Sequence, residues 1–157
     1  MMLQQERNMD MDLSLIITWE QVSNFLLYLV TTLGLIGAGL GIFLIITPYK
    51  EMKLIKEGTS TEITKVNAAQ ASAHDLGGKM IGLCVVLASA IYHSANLMEL
   101  ILWGLVAIVA QIVTYYLFGW ITPFKVAKEI QMGNVSVAIL GSRLSLGCSL
   151  IIAALIS

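Results

Sequence analysis

Four long stretches of this sequence contain no Asp, Glu, Lys or Arg, and this feature constrains the fold more than any other. They cover residues 21–49, 80–98, 100–124 and 144–157. The last stretch continues an apolar run that begins at residue 135 and that only Arg143 interrupts. A helix that crosses the hydrocarbon core of a bilayer needs about 20 apolar residues. The sequence therefore predicts four transmembrane helices, near residues 22–47, 77–97, 99–121 and 135–156.

The composition of the whole chain also favours a membrane protein. Hydrophobic residues make up 57% and charged residues 12% of the sequence, against roughly 45–50% and 25% in soluble globular proteins. A soluble helical protein would need a polar face on each helix, and these stretches have none. Both cysteines, Cys84 and Cys148, fall inside predicted spans, so we interpret them as packing residues and not as a disulfide. We expect no metal and no cofactor.

The basic residues indicate how the chain is oriented in the membrane. Eight of the nine Lys and Arg residues lie in or beside the two loops that precede the second and fourth spans. The positive-inside rule places these loops in the cytoplasm. Both termini and the turn at 92–99 would then face outward. Residues 1–20 form an acidic extracytoplasmic tail in this interpretation, and they lack the positive start of a cleavable signal peptide.

One thirteen-residue phrase occurs twice. Residues 46–58 read "ITPYKEMKLIKEG" and residues 121–133 read "ITPFKVAKEIQMG", with seven identical positions at a separation of 75. Each copy predicts a short amphipathic helix at the cytoplasmic interface, with a Thr N-cap, Pro at the first helical position and Gly at the end. The apolar residues Tyr49, Met52 and Ile55 of the first helix would share one face. Its lysines and those of the second copy would face lipid headgroups: Lys50, Lys53, Lys56, Lys125 and Lys128.

A second match follows each phrase. "LGGKMIGLC" at 76–84 aligns with "LGSRLSLGC" at 140–148, now at a separation of 64. The smaller separation indicates an insert of about 11 residues in the first copy, near 59–69. We interpret the domain, residues 21–157, as a tandem duplication of a two-helix hairpin, with repeat 1 at about 22–97 and repeat 2 at about 98–157. Two spans separate the copies, so their symmetry axis would run along the membrane normal.

These features together resemble the bacterial inner-membrane YjfL family, which is catalogued as domain of unknown function 350. The resemblance rests on the doubled phrase, on Gly133 followed by Asn134 and on the small residues of the second helix, and it covers roughly residues 22–157. It implies four transmembrane helices in two repeats, a bacterial inner membrane and an accessory role in envelope-stress gene clusters. It implies no catalytic residues. The insert, and Thr59 after Gly58, depart from the family pattern.

A few polar side chains within the predicted spans are candidate site residues. Lys79 and Arg143 occupy equivalent repeat positions, and Asp75 lies one turn before Lys79. Charged residues within a membrane usually face a bundle interior or a cavity, so the basic pair could line a vestibule for an anion or acidic lipid. Alternatively, both side chains snorkel to the interface, and Asp75 neutralises Lys79. Gln111, at the middle of the third span, is either part of a transport path or a partner in a hydrogen bond between helices.

Small residues in the first two spans predict close packing between helices or between copies of the chain. The glycines concerned are Gly37, Gly41, Gly78 and Gly82.

Two functions remain open at this stage. No combination of nucleophile, base and acid occurs in the loops, so we expect no enzyme, and the lysines are explained by topology and not by nucleic acid. The favoured hypothesis is a structural or accessory subunit of a membrane assembly, which docks a cytoplasmic protein or anionic lipid through its basic loops. The alternative is a small ion or solute channel or transporter. We expect a homo-oligomer in either case.

Overall fold

The computed structural model describes residues 18–156, and in this part of the chain four long helices are joined by short connections and two short helices. The long helices are α1 (Trp19–Ile46), α3 (Ile63–His93), α4 (Leu97–Ile121) and α6 (Val135–Ile156). The short helices are α2 (Glu51–Glu57) and α5 (Val126–Gln131). All four long helices are apolar enough to cross a membrane. The prediction of an all-α membrane protein with four spans is confirmed. Of the acidic tail predicted for residues 1–20, only the last three residues are described.

Helix α3 begins 14 residues earlier than the sequence predicted. The insert near 59–69 is not a loop, because its second half already belongs to the helix. The sequence there is rich in alanine, which has the highest helix propensity. With 31 residues, α3 is about 46 Å long at 1.5 Å per residue. A hydrocarbon core is only about 30 Å thick, so the first turns, called here the α3 extension (residues 63–73), reach beyond it.

The two short helices begin later than predicted. Thr47 and Thr122 are not their N-caps; they end the preceding long helices, where their backbone N–H groups donate to the carbonyl oxygens of Phe43 and Phe118. A proline follows each threonine and prevents the helix from continuing. The short helices then start after Lys50 and Lys125. They contain seven and six residues, fewer than the ten or so expected.

Both short helices end against the α3 extension. A Cβ atom added to Gly58 would lie 2.8 Å from Cβ of Ala69, and one added to Gly133 would lie 2.8 Å from Cβ of Asn67. Gly133 has a positive φ of 84°, as expected for a glycine that ends a helix, whereas Gly58 keeps a right-handed φ of −63°. Residues of the insert therefore form the surface on which α2 and α5 end.

The closest helix crossing joins α3 and α6. Gly78 contacts Ser142 so closely that an added Cβ would lie 2.5 Å from the Ser142 Cα atom. These two positions are equivalent in the predicted duplication, so they meet where a twofold axis between the copies would pass. The duplication itself stays an inference from the sequence. Gly82 also packs on α6, with an added Cβ 2.5 Å from the Ser149 hydroxyl oxygen.

Helix α1 lies at the edge of the bundle and packs through different glycine contacts from those predicted. Gly39 contacts Leu83 of α3, and Leu35 packs on Gly104 of α4. Gly37 and Gly41 have no neighbour within 4 Å of an added Cβ. At about 100° per residue, they point away from the side of the helix that holds Gly39. The packing predicted for Gly37 and Gly41 is therefore not made among the described residues of this chain.

The interior divides into two apolar clusters at opposite ends of the bundle. One lies among α1, α3 and α4 and contains Leu35, Leu83, Val86, Leu87, Ala107 and Ile108. The other lies at the end that carries the short helices and contains Tyr49, Ala71, Val126, Ile130, Val137 and Ala138. We call this second end the basic end. The buried polar residues lie at the basic end and between the two clusters.

Candidate functional site

A buried lysine at the basic end is surrounded by acidic and aromatic side chains. The Lys79 Nζ atom lies 2.7 Å from Oδ2 of Asp75 and 2.8 Å from Oε1 of Glu51. It also donates to the Thr47 hydroxyl at 3.2 Å and lies 4.5 Å from the ring centroid of Tyr115. An ammonium group over a tyrosine ring gains a cation–π attraction. We call Thr47, Tyr49, Glu51, Asp75, Lys79 and Tyr115 the buried charge cluster.

Five parts of the chain supply this cluster. Asp75 and Lys79 are one helical turn apart on α3, where residues i and i+4 share a face. Thr47 ends α1, and Glu51 is the first residue of α2. The Tyr49 hydroxyl, in the connection between them, donates to Oδ2 of Asp75 at 2.5 Å. The cluster thus joins α1 and α2 to the middle of α3, and the ring of Tyr115 covers it from α4.

The three charged members are almost fully enclosed. Glu51 is 1% exposed, Lys79 4% and Asp75 5%. Burial raises the pKa of Glu51 above its usual range, although the nearby Lys79 ammonium opposes this shift. Burial also raises the pKa of the Tyr49 hydroxyl, and the neighbouring Asp75 acts in the same direction. Within the described residues, Oε2 of Glu51 has no hydrogen-bond partner.

A small cavity extends from the cluster toward the middle of the bundle. Its volume is about 20 Å³, which is room for about one water molecule. Asp75, Lys79 and Gln111 line it, together with polar and apolar residues of α4 and α6. The Gln111 amide donates to the Ser149 hydroxyl, and the Ser145 hydroxyl donates to Oε1 of Gln111 at 3.1 Å. Gln111 therefore makes the hydrogen bonds between helices that were one of its two predicted roles, and it also borders the cavity.

The structure does not bring Arg143 to the same place as Lys79. Arg143 is exposed on the outside of α6 and lines a separate groove with His74 and Ser142. The two basic residues diverge because Gly78 and Ser142, their neighbours in sequence, occupy the helix crossing. A vestibule lined by Lys79 and Arg143 together is therefore not present in the described part of the chain.

The lysines of both short helices are exposed, and their contact with lipid headgroups stays a prediction. Lys50, Lys53 and Lys56 of the first copy are exposed, as are Lys125 and Lys128 of the second. The face of α2 that packs on the bundle is not the apolar face of the sequence pattern, because Met52 is 59% exposed and Glu51 faces the core. In the part of the chain that is described, no group of three or more His, Cys, Asp or Glu side chains is arranged to hold a metal.

Sequence reasoning missed Glu51 and Tyr49, and a comparison of the two copies contains the signal that would have identified them. The second copy has Phe124 and Val126 at the equivalent positions. Val126 is 8% exposed and belongs to the apolar cluster. A valine at the matching position indicates that Glu51 faces inward, and an inward carboxylate requires a basic partner.

Comparison with known proteins agrees with this architecture. A family model described as Domain of Unknown Function (DUF350) matches residues 16–156. The chain is 33% identical over 116 residues to the UPF0719 transmembrane protein YshE of Bacillus subtilis (strain 168), a match that covers 73% of this chain and 79% of that protein. No solved structure matches the chain. The resemblance to domain of unknown function 350 is confirmed. The family name YjfL stays a prediction. The chain belongs to the DUF350 family of transmembrane proteins.

Proposed function

We propose that the protein is a structural or accessory subunit of a bacterial inner-membrane assembly, and that its basic end faces the cytoplasm. The distribution of lysines supports this orientation, because cytoplasmic loops of inner-membrane proteins are rich in Lys and Arg. Both termini would then be extracytoplasmic. The proposed role is to bind the anionic headgroups of the cytoplasmic leaflet through the basic faces of α2 and α5.

The main support for this proposal is the set of contacts that fixes α2 to α3. Its inner side is fixed to α3 by the contact between Glu51 and Lys79 and by the Ser72 hydroxyl, which donates to the Glu51 carbonyl oxygen at 3.3 Å. Its outer side presents Lys50, Lys53 and Lys56 to solvent. A short helix that was not anchored would lose conformational entropy when it bound. The buried anchor therefore supports an outer face that is already ordered for binding.

Lipid retention tests the proposal. The protein is reconstituted in nanodiscs that contain phosphatidylglycerol and phosphatidylcholine, and native mass spectrometry measures which lipid stays bound. Each lysine near an anionic surface contributes about 1 kcal/mol. We therefore expect the triple change Lys50→Gln, Lys53→Gln, Lys56→Gln to weaken the preference for phosphatidylglycerol by roughly 100-fold, at about 1.4 kcal/mol per factor of ten.

The matched control uses the acidic residue of the same helix. Glu57 is half-buried and its carboxylate lies 3.7 Å from Lys53. Glu57→Gln removes one negative charge from the same surface and should leave the preference unchanged or increase it. An unchanged preference in the triple-lysine variant would contradict the proposal, since lysine charge would then play no part in lipid binding.

A channel or transporter remains the second candidate, and the polar cavity beside Gln111 supports it. The cavity holds about one water molecule, and the apolar cluster of α1, α3 and α4 lies between it and the opposite end of the bundle. A path through the membrane would therefore need a different conformation or a homo-oligomer. Ion flux into proteoliposomes tests this candidate. A flux in the wild-type protein that Gln111→Leu abolishes would favour transport over the accessory role.

A further inference from the structure

The buried charge cluster contains more acid than base. Glu51 and Asp75 are two carboxyl groups, and among residues 18–156 Lys79 is the only basic group in contact with them. With all three groups ionised, the cluster has a formal charge of −1. An uncompensated charge in a protein interior is very costly, and a carboxyl group avoids this cost by taking up a proton. One additional proton would make the cluster neutral.

The hydrogen bonds indicate which carboxyl group holds that proton. Oδ2 of Asp75 accepts from both the Tyr49 hydroxyl and the Lys79 ammonium. Glu51 accepts a side-chain hydrogen bond from Lys79 through Oε1, while its Oε2 is buried and has no partner within the described residues. Donors stabilise the ionised form of a carboxyl group. Two donors therefore stabilise the ionised form of Asp75. The additional proton fits best on Oε2 of Glu51, which has no donor in the described part of the chain.

The second copy of the phrase shows that a charge is not needed to dock a short helix. Val126 stands at the position of Glu51, is 8% exposed and packs with Ile130 and Val137. An aliphatic side chain thus fills the equivalent place on α5. Buried ion pairs are often no more stable than well-packed apolar residues of similar size. Packing alone therefore gives no reason for an acidic residue at position 51.

We propose that Glu51 is a proton-binding site: its carboxyl group carries an exchangeable proton on Oε2 while α2 is docked, and it loses that proton when α2 separates from α3. In the protonated state, Oε1 still accepts from Lys79, and Lys79 and Asp75 remain as a neutral ion pair. The proton comes from water and returns to it. This inference goes beyond the proposed lipid binding and does not depend on it.

The surroundings of Glu51 agree with this assignment. The titratable and charged groups that face it are Tyr49 from the preceding connection, Asp75 and Lys79 from α3, and Tyr115 from α4. Of these groups, only Lys79 carries a positive charge, and its ammonium also contacts the Asp75 carboxylate. Burial raises the pKa of Glu51, which is the direction that a bound proton requires, although Lys79 and the Thr47 hydroxyl act against this shift. The cavity lined by Asp75 and Lys79 adjoins the cluster and has room for about one water molecule.

Infrared spectroscopy with isotope labels tests the site in the unaltered protein. A protonated carboxyl group has a C=O stretching band that a carboxylate lacks. We expect the full-length protein in nanodiscs to show such a band at neutral pH, and the band should shift when glutamate, but not aspartate, contains ¹³C. The absence of the band, or a shift with labelled aspartate only, would overturn the assignment to Glu51.

Two variants identify the residue among the glutamates. Glu51→Gln should remove the band, whereas Glu57→Gln, on the same helix and half-buried, should leave it unchanged. A band that persists in Glu51→Gln would place the proton elsewhere and overturn the proposal. If Glu51→Gln does not fold, two results still test the proposal. The band must shift with labelled glutamate in the unaltered protein. It must also persist in Glu57→Gln, and its loss there would overturn the proposal.

Discussion

Lys79 of the second transmembrane helix holds Glu51 of a short surface helix, with 2.8 Å between Nζ and Oε1, although the two residues are 28 positions apart. Both side chains are nearly inaccessible to solvent. This contact connects a transmembrane helix to a helix that presents lysines on its outer side. The buried Lys79 therefore fixes the position of the outer face of α2. We propose that this face binds lipid headgroups.

Removal of the lysine should destabilise the protein strongly. Lys79→Met keeps most of the length of the side chain but leaves Glu51 and Asp75 without their ammonium partner. Breaking a buried charge pair costs about 3–5 kcal/mol, and we expect a loss of free energy of unfolding in this range. Chemical denaturation in detergent measures it. Lys65→Met is the control, because Lys65 forms an exposed pair with Glu62, and exposed pairs contribute at most about 1 kcal/mol. Equal losses in the two variants would contradict a buried cluster.

Two adjacent glycines should respond in opposite ways to alanine. A methyl group on Gly78 would meet the backbone of Ser142, whereas Gly77 has nothing within 4 Å of an added Cβ. We expect Gly78→Ala to cost about 1–3 kcal/mol, the usual range for overpacking. Gly77→Ala should increase stability by up to about 1 kcal/mol, because alanine favours helix. Thermal unfolding of both variants provides the measurement, and a stabilising Gly78→Ala would show that α3 and α6 do not cross there.

Loss of the Gln111 amide should have a moderate effect. Gln111→Leu removes the hydrogen bonds to Ser145 and Ser149, and each such bond between transmembrane helices contributes about 0.6 kcal/mol on average. We expect a loss of about 1–2 kcal/mol in the free energy of unfolding. Thr114→Val is the control, because the Thr114 hydroxyl donates to the Ala110 carbonyl oxygen of its own helix. A loss no greater than that of the control would show that Gln111 does not join the helices.

Stability should decrease as the pH rises through the raised pKa of Glu51. The unfolded chain loses this proton near about pH 4.3, whereas burial keeps it on the folded protein to higher pH. The folded state therefore binds more protons in this interval, and its stability decreases with increasing pH. The full contribution is present below about pH 4.3 and is lost as the folded pKa is passed. Unfolding between about pH 4 and 8 should show this decrease in the wild type, and Glu51→Gln should remove it. A wild-type stability that increases across the interval would show that Glu51 is ionised when folded.

The sequence predicts the four spans because an uncharged apolar run of that length forms few structures other than a transmembrane helix. The start of α3 could not be predicted in the same way. Its extension contains polar residues such as Asn67 and Gln70, which lie outside the apolar run, and the helix there depends on alanine propensity and on contacts with α2 and α5. Hydrophobicity alone identifies the part of a helix that is in the membrane and not the part that continues beyond it.

The candidate site was predictable only in part. Lys79 and Gln111 are visible in the sequence because polar residues in a span are rare, and Asp75 is visible because it lies one turn before Lys79. Glu51 was not, because it lies in a segment of alternating charge where an exposed glutamate is the usual interpretation. Glu51 and Met52 are about 100° apart around the helix. The orientation of α2 on α3 therefore decides which of the two faces inward, and the amphipathic pattern does not determine that orientation.

Hydrogen–deuterium exchange of residues 51–57 is the most direct test of the claim that the buried charge cluster fixes α2 to α3. We predict that these amides are protected in the wild type in nanodiscs. In Lys79→Met they should exchange as fast as an unstructured loop, while the amides in the middle of α4 remain protected. Fast exchange of α2 already in the wild type, or unchanged protection in Lys79→Met, would contradict the account.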